Sequence, residues 1–415
     1  MGQKINLAMV GWQQQQINLG QEHQDDLSLL VSRQRAWIEI DLTALAHNVK
    51  TLKNYLAPQT KLMAVVKADA YGHGAVTVAK TALANGADCL AIATLAEGVE
   101  LRQAGITSAI LILGAINAVE DIKAVAAWKL EPTICNLAQA LAFDATLATV
   151  GKSLPVHLKL DTGMSRLGTN WQEATSLVQL VCTRANLKIA SIYSHFSTAD
   201  ESDRTIMNLQ HQRFNQAIAQ LKNTGFVPPQ LHLANSAATL SDRACHYDMV
   251  RVGLALYGLY PAIHLRQTIP LKPVLQVKAK ITQVKTILAG EGVSYGHKFI
   301  ASQDTKVAVV GIGYADGVPR NLSNRLQAIV CGQLVPQIGS ITMDQLMLKV
   351  DSLHDLEPGE IVTLIGQENN LRVTADDWAN KLDTISWEIL CGFKHRLPRI
   401  FNQSDKQQTA KFEAR

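Results

Sequence analysis

From Trp37 to about Gly258, short apolar runs alternate with helix-length amphipathic segments. The runs are Leu62–Lys67, Cys89–Thr94, Ala109–Gly114, Leu130–Ile134, Val156–Leu160, Ile189–Ser194, Gln230–Leu233 and Met249–Val252. Most lack the in/out alternation of a strand with one wet face, which suits strands covered on both faces of a parallel sheet. Between them, Thr43–Leu56, Val76–Ala84, Trp171–Thr183 and Asp203–Lys222 carry helical spacing. Eight strand–helix repeats over about 230 residues predict an α/β fold, a (β/α)8 TIM-type barrel. A doubly wound open sheet is the alternative, weakened because no GxGxxG follows any of the runs.

After about Ile269 the pattern changes. Helix-length segments vanish until Thr374, and the runs Val274–Val284, Lys306–Ile312, Gln327–Cys331 and Leu346–Val350 are separated by turn residues such as Ala289-Gly290, Asp316-Gly317 and Pro358-Gly359. Such punctuation predicts a C-terminal, mostly antiparallel β domain. The expected division is a glutamine-rich extension over 1–34, a barrel over 35–268 and a β domain over 269–415. Residues 35–42 could form a strand that joins the β domain.

Composition narrows the classes. The 415 residues are 47% hydrophobic and 18% charged, enough to bury a sizeable core. Lys plus Arg number 39 against 35 for Asp plus Glu, without long runs, so there is no electrostatic footprint for nucleic acid or an acidic membrane. Cys89, Cys135, Cys182, Cys245, Cys331 and Cys391 lie more than forty residues apart, with no CxxC pair. They read as reduced thiols of a cytoplasmic protein, with neither a disulfide frame nor a metal site. The longest apolar run, Ser108–Val119, is too short to span a bilayer. The amino terminus, with Gln13–Gln16 and a short apolar stretch Ile5–Trp12, lacks a secretory signal and reads as a disordered or loosely docked extension.

The chemistry concentrates at the strand ends, which form the active-site face of a barrel. "AVVKADAYGHG" (Ala64–Gly74) places Lys67 at the end of an apolar strand, followed by Tyr71 among glycines. A desolvated lysine there can become a nucleophilic amine, the requirement for a Schiff base. "HLKLDTGMSRLG" (His157–Gly168) carries Lys159, Asp161 and Arg166; "SHFSTAD" carries His195; "LHLANSAA" carries His232, Asn235 and Ser236; "MVRVGLALYG" carries Arg251, Gly253 and Leu254. One such residue is commonly a satisfied rim residue, but five separate strand ends are hard to explain by packing. Ser236 and Gly253–Leu254 fall where barrels bind phosphate. A phosphate there, with a lysine nucleophile near the mouth, suggests pyridoxal 5'-phosphate, with Arg251 against its pyridine nitrogen. In the second domain, "EGVSYGHKF" offers Tyr295 and "IGSITMDQ" offers Met343 and Asp344 in loops.

With these motifs in order, together with "AWIEIDLTALAHN" and "RLPR", the sequence resembles the alanine racemases, pyridoxal-phosphate enzymes of fold type III, from about Ala36 to Arg399. The resemblance implies interconversion of L- and D-alanine, an isomerase activity supplying D-alanine for cell-wall peptidoglycan, by a homodimer with shared sites. It implies that Lys67 is the cofactor lysine and the base facing D-alanine, and that Tyr295, from the partner subunit, is the base for L-alanine. Arg251 would bond the pyridine nitrogen, supported by His232. Tyr71, Ser236, Gly253 and Leu254 would bind the phosphate, while Arg166 and the Met343 backbone would meet the substrate. His195 would link to Tyr295, and Asp344 would be a supporting residue. Lys159 matches a lysine that some members carry as a carbamate, which would hold Arg166. Racemisation needs two bases on opposite faces of a planar centre, and a tyrosine base near neutral pH needs positive charge nearby.

Four positions depart from the family pattern. Ser165 replaces a frequent glycine and Thr342 an occasional cysteine, while His395 and Phe401 occupy positions where members often have tyrosine. Rival readings are a non-catalytic cofactor carrier, which would lack the second domain, and a decarboxylase, which would call for a thiol that "SITMDQ" does not offer. A racemase of serine or another small amino acid differs by one or two pocket side chains.

Overall fold

A computed structural model describes residues 34–402. The extension expected over 1–34 lies outside the described residues, except for Gln34. Two compact units divide the chain: Ile40–Leu275 with Ile385–Cys391 and Phe401, and Gln276–Thr384 with the described residues up to Glu39 and Gly392–Ile400.

After β1 (Ala36–Asp41), the first unit contains β2 (Lys61–Val65), β3 (Cys89–Ile92), β4 (Ile110–Ala115), β5 (Glu131–Ile134), β6 (Leu154–Asp161), the two-residue β7 (Thr169–Asn170), β8 (Leu187–Tyr193), β9 (Leu231–His232) and β10 (Met249–Val252). Their order is β5-β4-β3-β2-β10-β9-β8-β6-β7, and β5 also pairs with β6. Among the described residues, eight parallel strands therefore close into the predicted barrel, with β7 appended to β6. The apolar runs form strands because helices cover their outer faces: all four residues of β3 are buried, as are four of five in β2. The helices start where the sequence supplies caps. Asp41 accepts the Ala44 N–H before Leu42–Tyr55, and Thr94 and Glu97 form a capping box before Leu95–Gln103.

The second sheet is antiparallel across its registered pairs. It adds β11 (Leu275–Ile287), β12 (Thr305–Val310), β13 (Gln327–Val330), β14 (Gln333–Ile338), β15 (Leu346–Lys349), β16 (Ile361–Glu368), β17 (Leu371–Val373) and β18 (Arg399–Asn402). The order is β17-β16-β13-β14-β15-β12-β11-β1-β18. β11 shows the period-two signal: Leu275, Val277, Ala279 and Ile281 are buried, while Gln276, Lys278 and Lys280 are half-buried. Asp316, fully buried, accepts from both terminal nitrogens of Arg35 at 2.9 and 2.6 Å and from the Gly313 N–H at 2.9 Å. β14 was not legible because Pro336 and the exposed Gln333 and Leu334 break its apolar pattern. All six cysteines are free, and among the described residues no helix is long and apolar enough to cross a membrane.

Candidate active site

Lys67 does not end a strand, as the apolar run had suggested. β2 stops at Val65, and Lys67 opens a turn in which Ala68, Asp69, Ala70 and Tyr71 all have φ between 53° and 56°. The run misled because Val66 and Ala70 stay buried after the ladder ends. Four consecutive left-handed L-residues cost about 1–2 kcal/mol each, roughly 4–8 kcal/mol together. Local bonds hold the turn. The Ala68 N–H donates to Glu97 Oε1 at 2.6 Å, Gly74 N–H to the Asp69 carbonyl at 3.0 Å, and Ala75 N–H to Asp69 Oδ1 at 2.8 Å. His73 Nδ1 lies 2.9 and 3.0 Å from the carbonyls of Ala70 and Tyr71. Both partners are acceptors, so Nδ1 carries the proton. His73 also stacks on Tyr257 at 4.3 Å, and the Tyr257 hydroxyl donates to the Val65 carbonyl.

This turn delivers two groups. The Lys67 amine has its pKa lowered by burial and then by the nearby Arg166 cation, with Glu97 acting in the opposite sense. Tyr71 is buried, its ring 5.0 Å from that of Tyr257, and burial raises its pKa, so it remains a hydroxyl donor at neutral pH. Its hydroxyl lies against Gly253: a Cβ on that glycine would stand 2.5 Å from the Tyr71 oxygen. Ser236 Oγ completes the cradle, accepting the N–H groups of Gly253 at 3.0 Å and Ala255 at 3.4 Å. Tyr71, Ser236, Gly253 and Leu254 thus meet from three separate segments. Phe401 takes another place nearby: a Cβ on Gly74 would be 2.8 Å from its ring.

Arg251, on β10, is 3% exposed. It donates to His232 Nδ1 at 3.0 Å, His195 Nδ1 at 3.0 Å, and the carbonyls of Ser194, His232 and Leu233 at 2.8, 3.2 and 3.2 Å. Burial lowers its pKa to about 10, which leaves it cationic at neutral pH. Tyr193 lies beneath this cluster. Its ring stacks on His232 at 4.6 Å and 7°, with the Arg251 guanidinium 5.1 Å and the Lys159 ammonium 5.6 Å from its centroid. Burial, then Arg251, lowers the Lys159 pKa to about 8. His195 and His232 are pushed well below the ordinary histidine value by burial and then by Arg251, and so are neutral.

Arg166 is exposed on the loop after β6, where Asp161 Oδ1 accepts the N–H groups of Gly163 and Ser165. Ser165 has φ 54°, in the left-handed region that glycine occupies without steric penalty. Arg166 lowers the proton affinity of Lys67 and, with Arg251, that of Lys159, and all four cations lower that of His195, the electrostatics of a site for an anion.

In the second unit, Tyr295 is 70% and Met343 53% exposed. The loops carrying them are tied together: Ser340 Oγ donates to the Tyr295 carbonyl at 2.7 Å and Ser294 Oγ to the Ser340 carbonyl at 2.8 Å. Asp344 accepts from Arg396 at 2.7 Å. Within the barrel unit, His195 is bonded to Arg251. Sequence reasoning missed Glu97, Glu131, Ser191 and Tyr193. A signal existed: His157/Lys159 on β6 and Ser191/Tyr193 on β8 are polar pairs at i, i+2, so each pair shares one face of its strand, and these faces are the buried interior.

Comparison with known proteins agrees with this geometry. The alanine racemase N-terminal domain family matches residues 40–261, and the alanine racemase C-terminal domain family matches residues 274–401. The alanine racemase of Nostoc sp. is 64% identical over 369 residues, covering 88% of this chain and 96% of its own length. That of Synechocystis sp. is 61% identical over 368 residues, covering 89% and 99%. Among solved structures, alanine racemase from Clostridium difficile superposes with a TM-score of 0.86 at 33% identity, covering 90% of this chain and 97% of that one. The Bacillus anthracis alanine racemase with bound L-Ala-P does so with 0.84 at 34%, covering 90% and 96%. The chain belongs to the alanine racemase family.

Proposed function

We propose that this chain interconverts L- and D-alanine with pyridoxal 5'-phosphate held in the barrel, two copies sharing each site. One observation carries the reading. The strained turn after β2 presents a desolvated lysine amine and, four residues later, a buried tyrosine hydroxyl against Gly253, whose N–H Ser236 holds. The residues fit the cofactor. The space beside Gly253 that a Cβ would fill is where the Tyr71 hydroxyl reaches, and Tyr71, Ser236 and the Gly253–Leu254 backbone would hold the phosphate. Lys67 would bond the cofactor covalently, and Arg251 would meet its ring nitrogen. When bound, the cofactor draws electron density from the substrate Cα and makes its C–H removable near neutral pH.

The remaining chemistry belongs to side chains. Lys67, its proton affinity lowered by burial and Arg166, exchanges a proton at Cα on the face of D-alanine. Tyr295 does so on the face of L-alanine. Removal by one base and return by the other inverts the centre. The exposure of Tyr295 and Met343 on their own chain supports their serving a second copy's site. Arg251, with a pKa of about 10, would donate a hydrogen bond to the ring nitrogen and keep its proton. Arg166 and the Met343 backbone bind the substrate carboxylate. Lys159, with a pKa of about 8, has enough neutral amine near physiological pH to carry a carbamate facing Arg166.

A panel of small L-amino acids scored for inversion tests the substrate, with alanine expected to be fastest; faster inversion of serine would reject the alanine assignment. Lys67→Ala is expected to abolish the visible absorbance of bound cofactor, and an unchanged spectrum would remove its role. Tyr295→Phe should slow solvent-deuterium exchange into L-alanine far more than into D-alanine; equal slowing rejects the two-base scheme.

A further inference from the structure

Arg251 is a buried cation whose acceptors, among the described residues, are two imidazole nitrogens and three carbonyls, all neutral. A hydrogen-bonded chain nevertheless runs from it to a carboxylate. His232 Nε2 lies 2.7 Å from Ser191 Oγ, Ser191 Oγ lies 2.6 Å from His157 Nδ1, and His157 Nε2 lies 2.8 Å from Glu131 Oε2. Sheet register builds it: His157 on β6 pairs with Ser191 on β8, and Tyr193, two residues further, pairs with His232 on β9. His157, Ser191 and His232 are 3%, 0% and 0% exposed, while Glu131 stands at the start of β5 with its side chain 20% exposed.

The protons have one consistent order. Arginine only donates, so His232 Nδ1 must be bare and its Nε2 protonated. Ser191 then accepts from His232, and its own hydroxyl proton goes to His157 Nδ1, which must also be bare. His157 Nε2 carries the remaining proton and donates it to Glu131. The reverse order, starting from a protonated Glu131, would place His232 Nδ1–H against an arginine N–H at 3.0 Å, donor against donor.

We propose that Glu131 is the remote counter-charge of Arg251, and that His157, Ser191 and His232 are positioning residues that transmit it. They fix each proton so that the terminal nitrogens of Arg251 meet only lone pairs, and its Nε–H, which makes none of these bonds, is left for the ring nitrogen. This rests on the reading of Arg251 given above. Polarisation along such a chain strengthens each bond in a low-dielectric interior. Partial delivery of the carboxylate's charge to a cation it does not touch follows from the same argument.

The test uses holoenzyme labelled with 15N-histidine, in which nitrogen shifts and couplings separate protonated from bare ring nitrogens. His157→Gln and His232→Gln spectra assign the two residues. Wild type is expected to show Nε2–H and bare Nδ1 on both. Glu131→Gln keeps an acceptor and removes the charge. It should shift the His157 and His232 signals and lower kcat about tenfold, the scale of a charged hydrogen bond, with KM for alanine little changed and the same Tm. Ser191→Ala, which cuts the chain at its middle, should shift the same signals and lower kcat by a similar factor, with a lowered Tm because two buried imidazole nitrogens lose their partner. A merely structural role would move Tm and leave the imidazole signals and kcat in place. An Nδ1–H on either histidine, or a Glu131→Gln kcat within about twofold of wild type, overturns the proposal. Should wild type invert no amino acid, the activity reading fails, and the imidazole spectra alone decide the proton order.

Discussion

Gly253→Ala adds one methyl group where the structure has least room for it. The new Cβ would meet the Tyr71 hydroxyl at 2.5 Å, the ring carbon bearing it at 3.0 Å and a further ring carbon at 3.4 Å. To escape the clash the hydroxyl must retreat by about 0.5 Å to reach a tight contact at 3.0 Å, and by about 0.9 Å to reach ordinary van der Waals contact at 3.4 Å. Tyr71 packs against the Tyr257 ring at 5.0 Å, tilted by 40°, and ends a left-handed turn, so the displacement is resisted from both sides. Overpacking of this kind costs about 1–3 kcal/mol of stability. The same shift takes the hydroxyl from its place against Gly253, and losing one hydrogen bond to a charged phosphate is worth about 1.5–3 kcal/mol, or roughly 10- to 100-fold in cofactor affinity. Denaturant unfolding measures the first quantity, and cofactor absorbance under equilibrium dialysis measures the second. Tyr71→Phe removes the atom at 2.5 Å, so Gly253→Ala should cost less stability in that background, whereas affinity should not recover. Equal stability costs in both backgrounds, or cofactor affinity unchanged by Gly253→Ala, would refute the cradle.

Three further outcomes are expected. A 13C-bicarbonate NMR signal of a carbamate should appear in wild type, vanish in Lys159→Ala, and weaken as pH falls below about 8, because only the neutral amine reacts. The folded chain refuses a proton on His232 that the unfolded chain accepts below the ordinary histidine pKa of 6.5. Stability is therefore lost as pH falls through that value, by about 1.4 kcal/mol per unit for this one group, and His232→Gln should flatten the unfolding-against-pH curve by that amount. Asp316→Ala leaves the buried Gly313 N–H without its acceptor and takes the partner from the 37%-exposed Arg35, and should cost about 1–3 kcal/mol, whereas Glu120→Ala, which breaks the surface pair with Lys123, should cost under about 0.5 kcal/mol by the same denaturant titration.

The barrel was legible because burial on both faces writes itself as uninterrupted apolar runs, and all eight runs became strands. Legibility failed where one residue answered to two constraints. Val66 and Ala70 are apolar because they are buried, yet they lie in a turn, so the run concealed the strand end and the left-handed backbone together. β14 failed for the opposite reason, since Pro336 interrupts a strand that its neighbours β13 and β15 hold in place. The site residues at strand ends were visible because polar side chains stand out where apolar runs stop. Glu131, at the start of its strand, sat at the end of the barrel where chemistry is not expected.

That blind spot has a physical basis. A barrel interior is dry, so every polar side chain within it must find a partner. The partners of the functional end can then lie several strands away at the opposite end. Arg251 is bonded to His232, which is neutral only because burial and Arg251 itself hold it so, and its Nε2 proton must go to Ser191. Ser191 in turn requires His157, and His157 requires an acceptor such as Glu131. Placing an arginine at the site therefore constrains residues on four other strands, β9, β8, β6 and β5. The i, i+2 pairs His157/Lys159 and Ser191/Tyr193 record this constraint along the sequence, with the upper member of each pair beside the cation and the lower member continuing the chain. Polar alternation inside an otherwise apolar barrel is thus evidence of a buried charge that the interior must satisfy.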